Sequence, residues 1–191
     1  EMPPGGRSLL VGPIYHSAQW AFSFLPMLAG SSIVMRHKFD DEETLNLIDE
    51  YQITNIHLVP TQFTRMLRLD EKIKQGFDGS SLSVVWHGAA PCPPEIKRQM
   101  IEWWGPVINE YYGSTEGSIV TTVNSEDWLN RPGTLGKPVA IMEVIVIKED
   151  GSSAGPGESG TLYVKNLMGS DFEYHNAPEK TSDAHLEPGV F

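Results

Sequence analysis

The sequence predicts an α/β fold in which a mainly parallel sheet with flanking helices is followed by a small β-rich subdomain. Three observations predict it. Short apolar runs of strand length alternate with longer segments of helical periodicity from residue 8 to residue 107, the pattern of repeated βαβ units. Glycine, proline and Asp-Gly punctuation falls at the junctions between them. Beyond Gly117 the pattern changes. Residues 133–164 are glycine-rich with short strand-like runs, so the expected division is an α/β subdomain over 1–129 and a β-rich one over 130–191.

Each element has its own warrant. Ser8-Leu9-Leu10-Val11-Gly12 is an apolar run closed by Gly-Pro, as a buried strand ending in a loop is, and that loop is Pro13-Ile14-Tyr15-His16-Ser17. An apolar helix is expected from residue 19 to about residue 28, ended by Gly30. Residues 32–36 read as the next strand, and Asp40 and Asp41 then cap a helix with Leu45, Ile48 and Tyr51 on one face. Residues 55–59 are a third strand, stopped at Pro60. Thr61 is expected to cap a helix carrying Phe63, Met66 and Leu67, and Asp78-Gly79 turns the chain into a strand over 82–86. Pro94 suits the first turn of a helix whose Ile96, Met100, Ile101 and Trp104 recur at helical spacing until Gly105. Farther on, residues 142–147 and 160–164 are strands joined through Asp150-Gly151 and Gly155-Pro156-Gly157. This junction is a hairpin signal, because a phosphate loop needs a Gly-Lys-Ser/Thr ending and a helix after it.

Composition narrows the partners. The 191 residues carry a net charge of −11 with no block of Lys or Arg, which disfavours DNA or RNA. A single cysteine, Cys92, has no internal disulfide partner and no secretory-type leader opens the chain, so a cytoplasmic setting is expected. No stretch has the length and apolarity of an integral membrane segment. Glu rather than Met at position 1, and a turn with apolar residues at Pro188-Gly189-Val190-Phe191, suggest a piece of a longer protein.

The chemistry concentrates at Val107-Ile108-Asn109-Glu110-Tyr111-Tyr112-Gly113-Ser114-Thr115-Glu116-Gly117, an apolar strand running into a glycine-bracketed turn. Glycine lets a ligand approach the backbone, hydroxyls and freed N–H groups can face an anion, and the carboxylate can hold a hard cation. A nucleotide with magnesium fits that inventory; so does an ordinary turn whose Ser and Thr satisfy their own backbone. Position in the sheet favours the nucleotide. Ligands of parallel sheets bind beyond the carboxyl ends of the strands, and the segments around His16, Gly88 to Ala90 and Tyr112 to Glu116 each directly follow an expected strand. The remaining histidines, His37, His57, His87, His175 and His185, lack zinc-site spacing and read as ordinary surface or core residues. Ser114 follows Gly113 directly, so the turn is not a nucleophile elbow.

These residues carry a resemblance. Tyr112-Gly113-Ser114-Thr115-Glu116 resembles the Tyr-Gly-x-Thr-Glu motif of the adenylate-forming superfamily, with Gly88-Ala89-Ala90-Pro91 one helix upstream as in that family. Pro13-Ile14-Tyr15-His16 is similar to the Pro-Leu-Phe-His segment of AMP-forming acyl-CoA synthetases. Gly133-Thr134-Leu135-Gly136-Lys137-Pro138, Gly157-Glu158-Ser159-Gly160 and Pro178-Glu179-Lys180-Thr181 follow in family order. The resemblance spans essentially the whole chain and is nearest to the fatty-acyl type.

The resemblance implies two half-reactions. A hydrophobic carboxylic acid attacks the α-phosphate of ATP to give acyl-AMP and pyrophosphate, and the thiol of coenzyme A then displaces AMP. It implies that Gly88, Ala89 and Ala90 wall the adenine slot, where side chains larger than methyl would block the ring. Tyr112 would stack on the other face, and Glu110 and Tyr111 would line the adenine edge, mostly through backbone groups. Gly113 and Ser114 would complete the nucleotide loop, Thr115 would donate to the α-phosphate, Glu116 would hold magnesium (Mg2+), and His16 would lie near the acyl carboxylate. Trp20, Phe22 and Phe24 follow His16 and can be read as channel lining or as core.

The sequence also departs from the family. Nothing before Arg7 matches the Ser/Thr/Gly-rich phosphate loop, a ribose-gripping Thr-Gly-Asp would be expected just after Phe191, Val190 stands where an aromatic is usual, and the C-terminal domain with its catalytic lysine is not in the sequence. These 191 residues alone are therefore expected not to catalyse adenylation. A non-catalytic nucleotide-binding or interaction module, or an adenylation domain loading a carrier protein, stays open beside the coenzyme A ligase.

Overall fold

The computed structural model describes residues 5–191, and its contacts divide the chain into two compact units: residues up to Tyr111 with Val123–Leu135, and Tyr112–Thr122 with Gly136–Phe191. The first unit runs β1 (Arg7–Leu10), α1 (Ser17–Leu28), β2 (Ser32–Met35), α2 (Asp41–Tyr51), β3 (Asn55–Leu58), α3 (Pro60–Leu67), α4 (Glu71–Gly76), β4 (Val84–His87), α5 (Pro94–Trp104) and into β5 (Ile108–Ser114), with α6 (Ser125–Asn130) returning to it. Its strands lie in the order β2-β1-β3-β4-β5, all pairs parallel. The expected α/β class, with a mostly parallel sheet and flanking helices, is what the chain forms.

Period-two alternation sorts the side chains of β3, β4 and β5 to two faces. Ile56, Leu58, Val85 and Ile108 enter a core with Leu45, Ile48, Phe63, Met66, Met100, Ile101, Trp104 and Trp128, contributed by α2, α3, α5 and α6. On the other face His57, Trp86 and Tyr111 meet Phe22 of α1, with ring centroids 4.9, 5.6 and 5.2 Å apart. Phe22 is half-buried against these rings, and Trp20, half exposed, stacks on Phe24 at 5.6 Å.

Local chemistry sets the helix ends, in places differently from expectation. Asp40 caps α2 by accepting from the Glu43 N–H at 2.9 Å, and Asp41, Glu42 and Glu43 in the first turn suit the helix dipole. Tyr51 does not join the buried face, which Thr44, Leu45 and Ile48 form, because each three-residue step drifts about 60° round the helix. Nor does Thr61 cap α3. Pro60 already occupies the first turn, so the N-cap is Val59, whose N–H donates to Gln62 Oε1 at 2.8 Å. Two further helices, α4 and α6, begin at side-chain caps: Asp70 accepts from the Lys72 N–H and Asn124 from the Asp127 N–H.

The second unit contains β6 (Ser118–Val123), β7 (Lys137–Pro138), β8 (Met142–Ile147), β9 (Thr161–Asn166) and α7 (Pro178–Asp183). β6 is built on the β-branched run Ile119-Val120-Thr121-Thr122-Val123. It pairs antiparallel with β7. β8 and β9 form a separate antiparallel pair from Met142↔Asn166 to Ile147↔Thr161, as the Asp-Gly junction predicts. Val120, Met142 and Val164 are its small core, with Val139, Val144 and Phe191 packed against them. No described helix is long and apolar enough to cross a membrane.

Candidate functional site

In the first unit β4 ends at His87 and delivers Gly88-Ala89-Ala90 at the carboxyl edge of the sheet. Gly88 is buried, and a Cβ there would lie 2.6 Å from two ring carbons of Tyr111, so only hydrogen fits. Ala89 has φ +66°, a left-handed conformation that costs a non-glycine residue about 1–3 kcal/mol. Ala89 and Ala90 are exposed, leaving methyl groups and backbone at the surface of this turn.

Two adjacent residues of β5 point to opposite faces. Tyr111 shares a 3.0 Å hydrogen bond with His57 Nε2, and Gln19 Nε2 lies 3.0 Å from His57 Nδ1. Burial drops the His57 pKa to about 4 and pushes the Tyr111 hydroxyl up to about 12, so both are neutral throughout the physiological range. Glu110 turns the other way. Its Oε2 accepts from Lys97 Nζ at 2.7 Å, and Lys97 is fully buried in α5 with its ammonium 4.8 Å from the centre of the Trp128 ring. His87 is paired in register with Glu110 and brings Nε2 to 3.7 Å from the same oxygen. Burial, with the positive charge of Lys97, lowers its pKa to about 3. The neighbouring Cys92 thiol is raised to about 11, chiefly by burial, and is therefore a poor nucleophile.

His16 is the N-cap residue of α1, exposed, with no side-chain cap hydrogen bond; its ring lies 4.7 Å from that of Tyr15. The helix begins two residues before the expected start, directly after His16.

The second unit holds the remainder of the motif. Gly113 is obligatory, because a Cβ would run into the Ser118 carbonyl oxygen across the β5–β6 turn. Ser114 Oγ accepts from the Gly117 N–H at 2.8 Å, which closes the turn locally. Tyr112, Thr115 and Glu116 are exposed. A cleft of about 200 Å³ is lined by Tyr112, Gly113, Ser114, Glu116, Phe172 and Tyr174, among others. The Tyr174 hydroxyl donates to Glu116 Oε1 at 2.9 Å, and Lys180 Nζ sits 3.9 Å from the Tyr174 ring centre. Its own backbone N–H, then Tyr174, Ser114 and Lys180, hold the Glu116 carboxyl below the usual carboxylate range. Among the described residues no three His, Cys, Asp or Glu side chains gather as a metal cluster. A single ionised carboxylate beside hydroxyls fits a magnesium ion that takes its other ligands from phosphate and water.

Sequence reasoning missed Lys97, Tyr174 and the Gln19–His57–Tyr111 chain. Lys97 carried a signal: with Ile101 and Trp104 it falls on the helical stripe that is buried, an unusual place for a charge. Tyr174 carried none, since its partner is 58 residues away.

A sheet edge that presents a glycine-walled turn, followed in the chain by an anion-suited loop with an ionised carboxylate, defines a nucleotide-binding α/β protein. Residues 1–168 match the AMP-binding enzyme family, and the chain belongs to that family, within the adenylate-forming superfamily. It is 31% identical over 186 residues to a medium/long-chain-fatty-acid–CoA ligase of Mycobacterium tuberculosis, covering 95% of this chain and 32% of that protein. It is also 31% identical over 193 residues to luciferin 4-monooxygenase of Nipponoluciola cruciata, covering 99% of this chain and 34% of the relative. Among solved structures, ATP-bound MatB of Rhodopseudomonas palustris superposes with a TM-score of 0.86 at 26% identity, over 100% of this chain and 37% of that one. The chain thus spans about a third of the length of the relatives it matches.

Proposed function

We propose that this chain forms the nucleotide- and acid-binding part of an AMP-forming acid–thiol ligase acting on a hydrophobic carboxylic acid, a fatty acid foremost. The observation that carries this reading is the turn after β4, where Tyr111 admits only glycine at 88 and Ala89 is held left-handed. Backbone strain kept in an exposed loop, next to methyl-sized side chains, suits a flat base lying against the turn. The fatty-acid–CoA ligase relatives support the choice of acid and of coenzyme A.

In this reading a substrate carboxylate oxygen attacks the α-phosphorus of ATP, the bond from that phosphorus to the bridging oxygen breaks, and pyrophosphate leaves. Gly88, Ala89 and Ala90 wall the base, Glu110 and Tyr111 line its edge, Tyr112 stacks on it, and Gly113 and Ser114 shape the phosphate loop. Thr115 donates to the α-phosphate and His16 orients the acid. Glu116 would hold a magnesium ion, which when bound would supply charge neutralisation for the departing pyrophosphate. The thiolate of coenzyme A then attacks the acyl carbon, the carbon–oxygen bond to phosphate breaks, and AMP leaves with its electron pair.

The test is carboxylate-dependent exchange of labelled pyrophosphate into ATP by the full-length polypeptide carrying this chain, with magnesium and a panel of fatty, aryl and short-chain acids. Exchange with fatty acids, followed by AMP release on adding coenzyme A, is the expected result. No exchange from folded protein across the panel would leave a non-catalytic nucleotide-binding module, and exchange without transfer to coenzyme A would point to a carrier protein as acceptor.

A further inference from the structure

The Lys97–Glu110 pair lies inside the first unit, at 0% and 6% exposure, and the reaction proposed above makes no chemical use of its charges. A buried ion pair is weak evidence for stability, since apolar residues of similar volume in its place are often neutral or stabilising. Its geometry gives it another use. Lys97 holds Glu110 from the α5 face at 2.7 Å, while His57, itself 3.0 Å from Gln19, holds the next residue, Tyr111, from the α1 face at 3.0 Å. Successive residues of β5 are thereby pinned from both sides of the sheet, which fixes the rotation of the strand about its own axis. That rotation matters at one place. The Tyr111 ring and the Tyr111 carbonyl oxygen are the atoms that a Cβ on Gly88 would strike, at 2.6 and 2.8 Å, so the strand's roll sets the shape of the turn that carries Ala89 and Ala90. On the side of the pair, His87 Nε2 stands 3.7 Å from Glu110 Oε2, beyond hydrogen-bond distance, and both its ring nitrogens are buried without a hydrogen-bond partner.

We propose that Lys97 is a positioning residue for nucleotide selection: its ion pair with Glu110 sets the roll of β5, and through Tyr111 and Gly88 the width of the base slot. This rests on the reading of Gly88 to Ala90 as the adenine wall. The experiment compares the full-length protein with Lys97→Met/Glu110→Met and with Lys97→Arg, measuring urea midpoint, pyrophosphate-exchange kcat, and KM for ATP and for inosine triphosphate. The expected result is a Met pair that folds with an undiminished midpoint. Its KM for ATP rises about tenfold, about 1.4 kcal/mol of lost binding, and its preference for ATP over inosine triphosphate falls by a similar factor. Lys97→Arg keeps the parent's preference.

A folded Met pair with unchanged KM and unchanged base preference overturns the proposal alone. So does a Met pair that fails to fold, because the pair is then a structural requirement. Absence of exchange in the unmodified full-length protein overturns the functional reading and the proposal with it.

Discussion

The two halves of the motif solve different physical problems. The region proposed as the base wall, in the first unit, lies beside groups withdrawn from water: a fully buried lysine on a buried glutamate, and two histidines too deeply buried to protonate near neutrality. The loop of the second unit is held in the open, by the Ser114 hydroxyl on a backbone N–H and a tyrosine hydroxyl on the Glu116 carboxylate. Buried polar groups tolerate no missing partner, whereas an exposed hydrogen bond is replaced by water at small cost. In the proposed reading the base is accordingly met by shape and the phosphates by charge, and the two regions should respond to perturbation on different scales.

The largest response belongs to the interior. Lys97→Met alone leaves the Glu110 carboxylate buried and unpaired, and should destabilise the protein by about 3–5 kcal/mol in urea unfolding; a change under about 1 kcal/mol would show that water reaches the site. Acid comes next. The unfolded chain protonates His57 and His87 near the ordinary value of 6.5, the folded protein only near 4 and 3, so the unfolded state holds more protons between those limits. Stability therefore falls as pH drops below 6.5, with a slope approaching about 1.4 kcal/mol per pH unit for each histidine, which urea midpoints over that range would reveal.

A packing change at the wall should be smaller. Gly88→Val forces side-chain atoms against the Tyr111 ring and carbonyl, and overpacking of this kind costs about 1–3 kcal/mol. The exposed loop should respond least. Tyr174→Phe removes the donor to Glu116 and should leave the urea midpoint unchanged. Its visible effect is on titration, since the Glu116 carboxyl, held low in part by that hydroxyl, moves up toward the ordinary value of 4.5. An NMR titration of the Glu116 side chain reads this directly; an unmoved midpoint would mean that its own N–H and Ser114 suffice.

Much of this was legible in the sequence for physical reasons. The apolar runs at Leu9, Ile56 and Val85 and the stripe Met100, Ile101, Trp104 are core because period and burial agree, and the Asp150-Gly151 junction joins an antiparallel pair because its turn chemistry allows little else. The short helices α4 and α6 escaped because six residues carry too little periodicity, and β6 escaped because the glycine-rich sequence beyond Gly117 drew attention from its β-branched run. At the site, glycines and hydroxyls announced a binding turn. The strain at Ala89 and the Tyr174 contact were invisible, since a backbone dihedral of alanine and a partner 58 residues distant leave no local trace. Lys97 lay on a buried helical stripe in plain view, and only the presumption that lysine stays in water hid it.

The central claim is that the base of a nucleotide lies against the turn after β4. Ala90 tests it most directly, because it is exposed and a larger side chain there meets solvent rather than core. Ala90→Leu in the full-length protein should keep the parent's urea midpoint, and calorimetric titration of magnesium-ATP should show an affinity at least about tenfold weaker for the variant, or about 1.4 kcal/mol. Equal affinity in the two proteins would contradict the account.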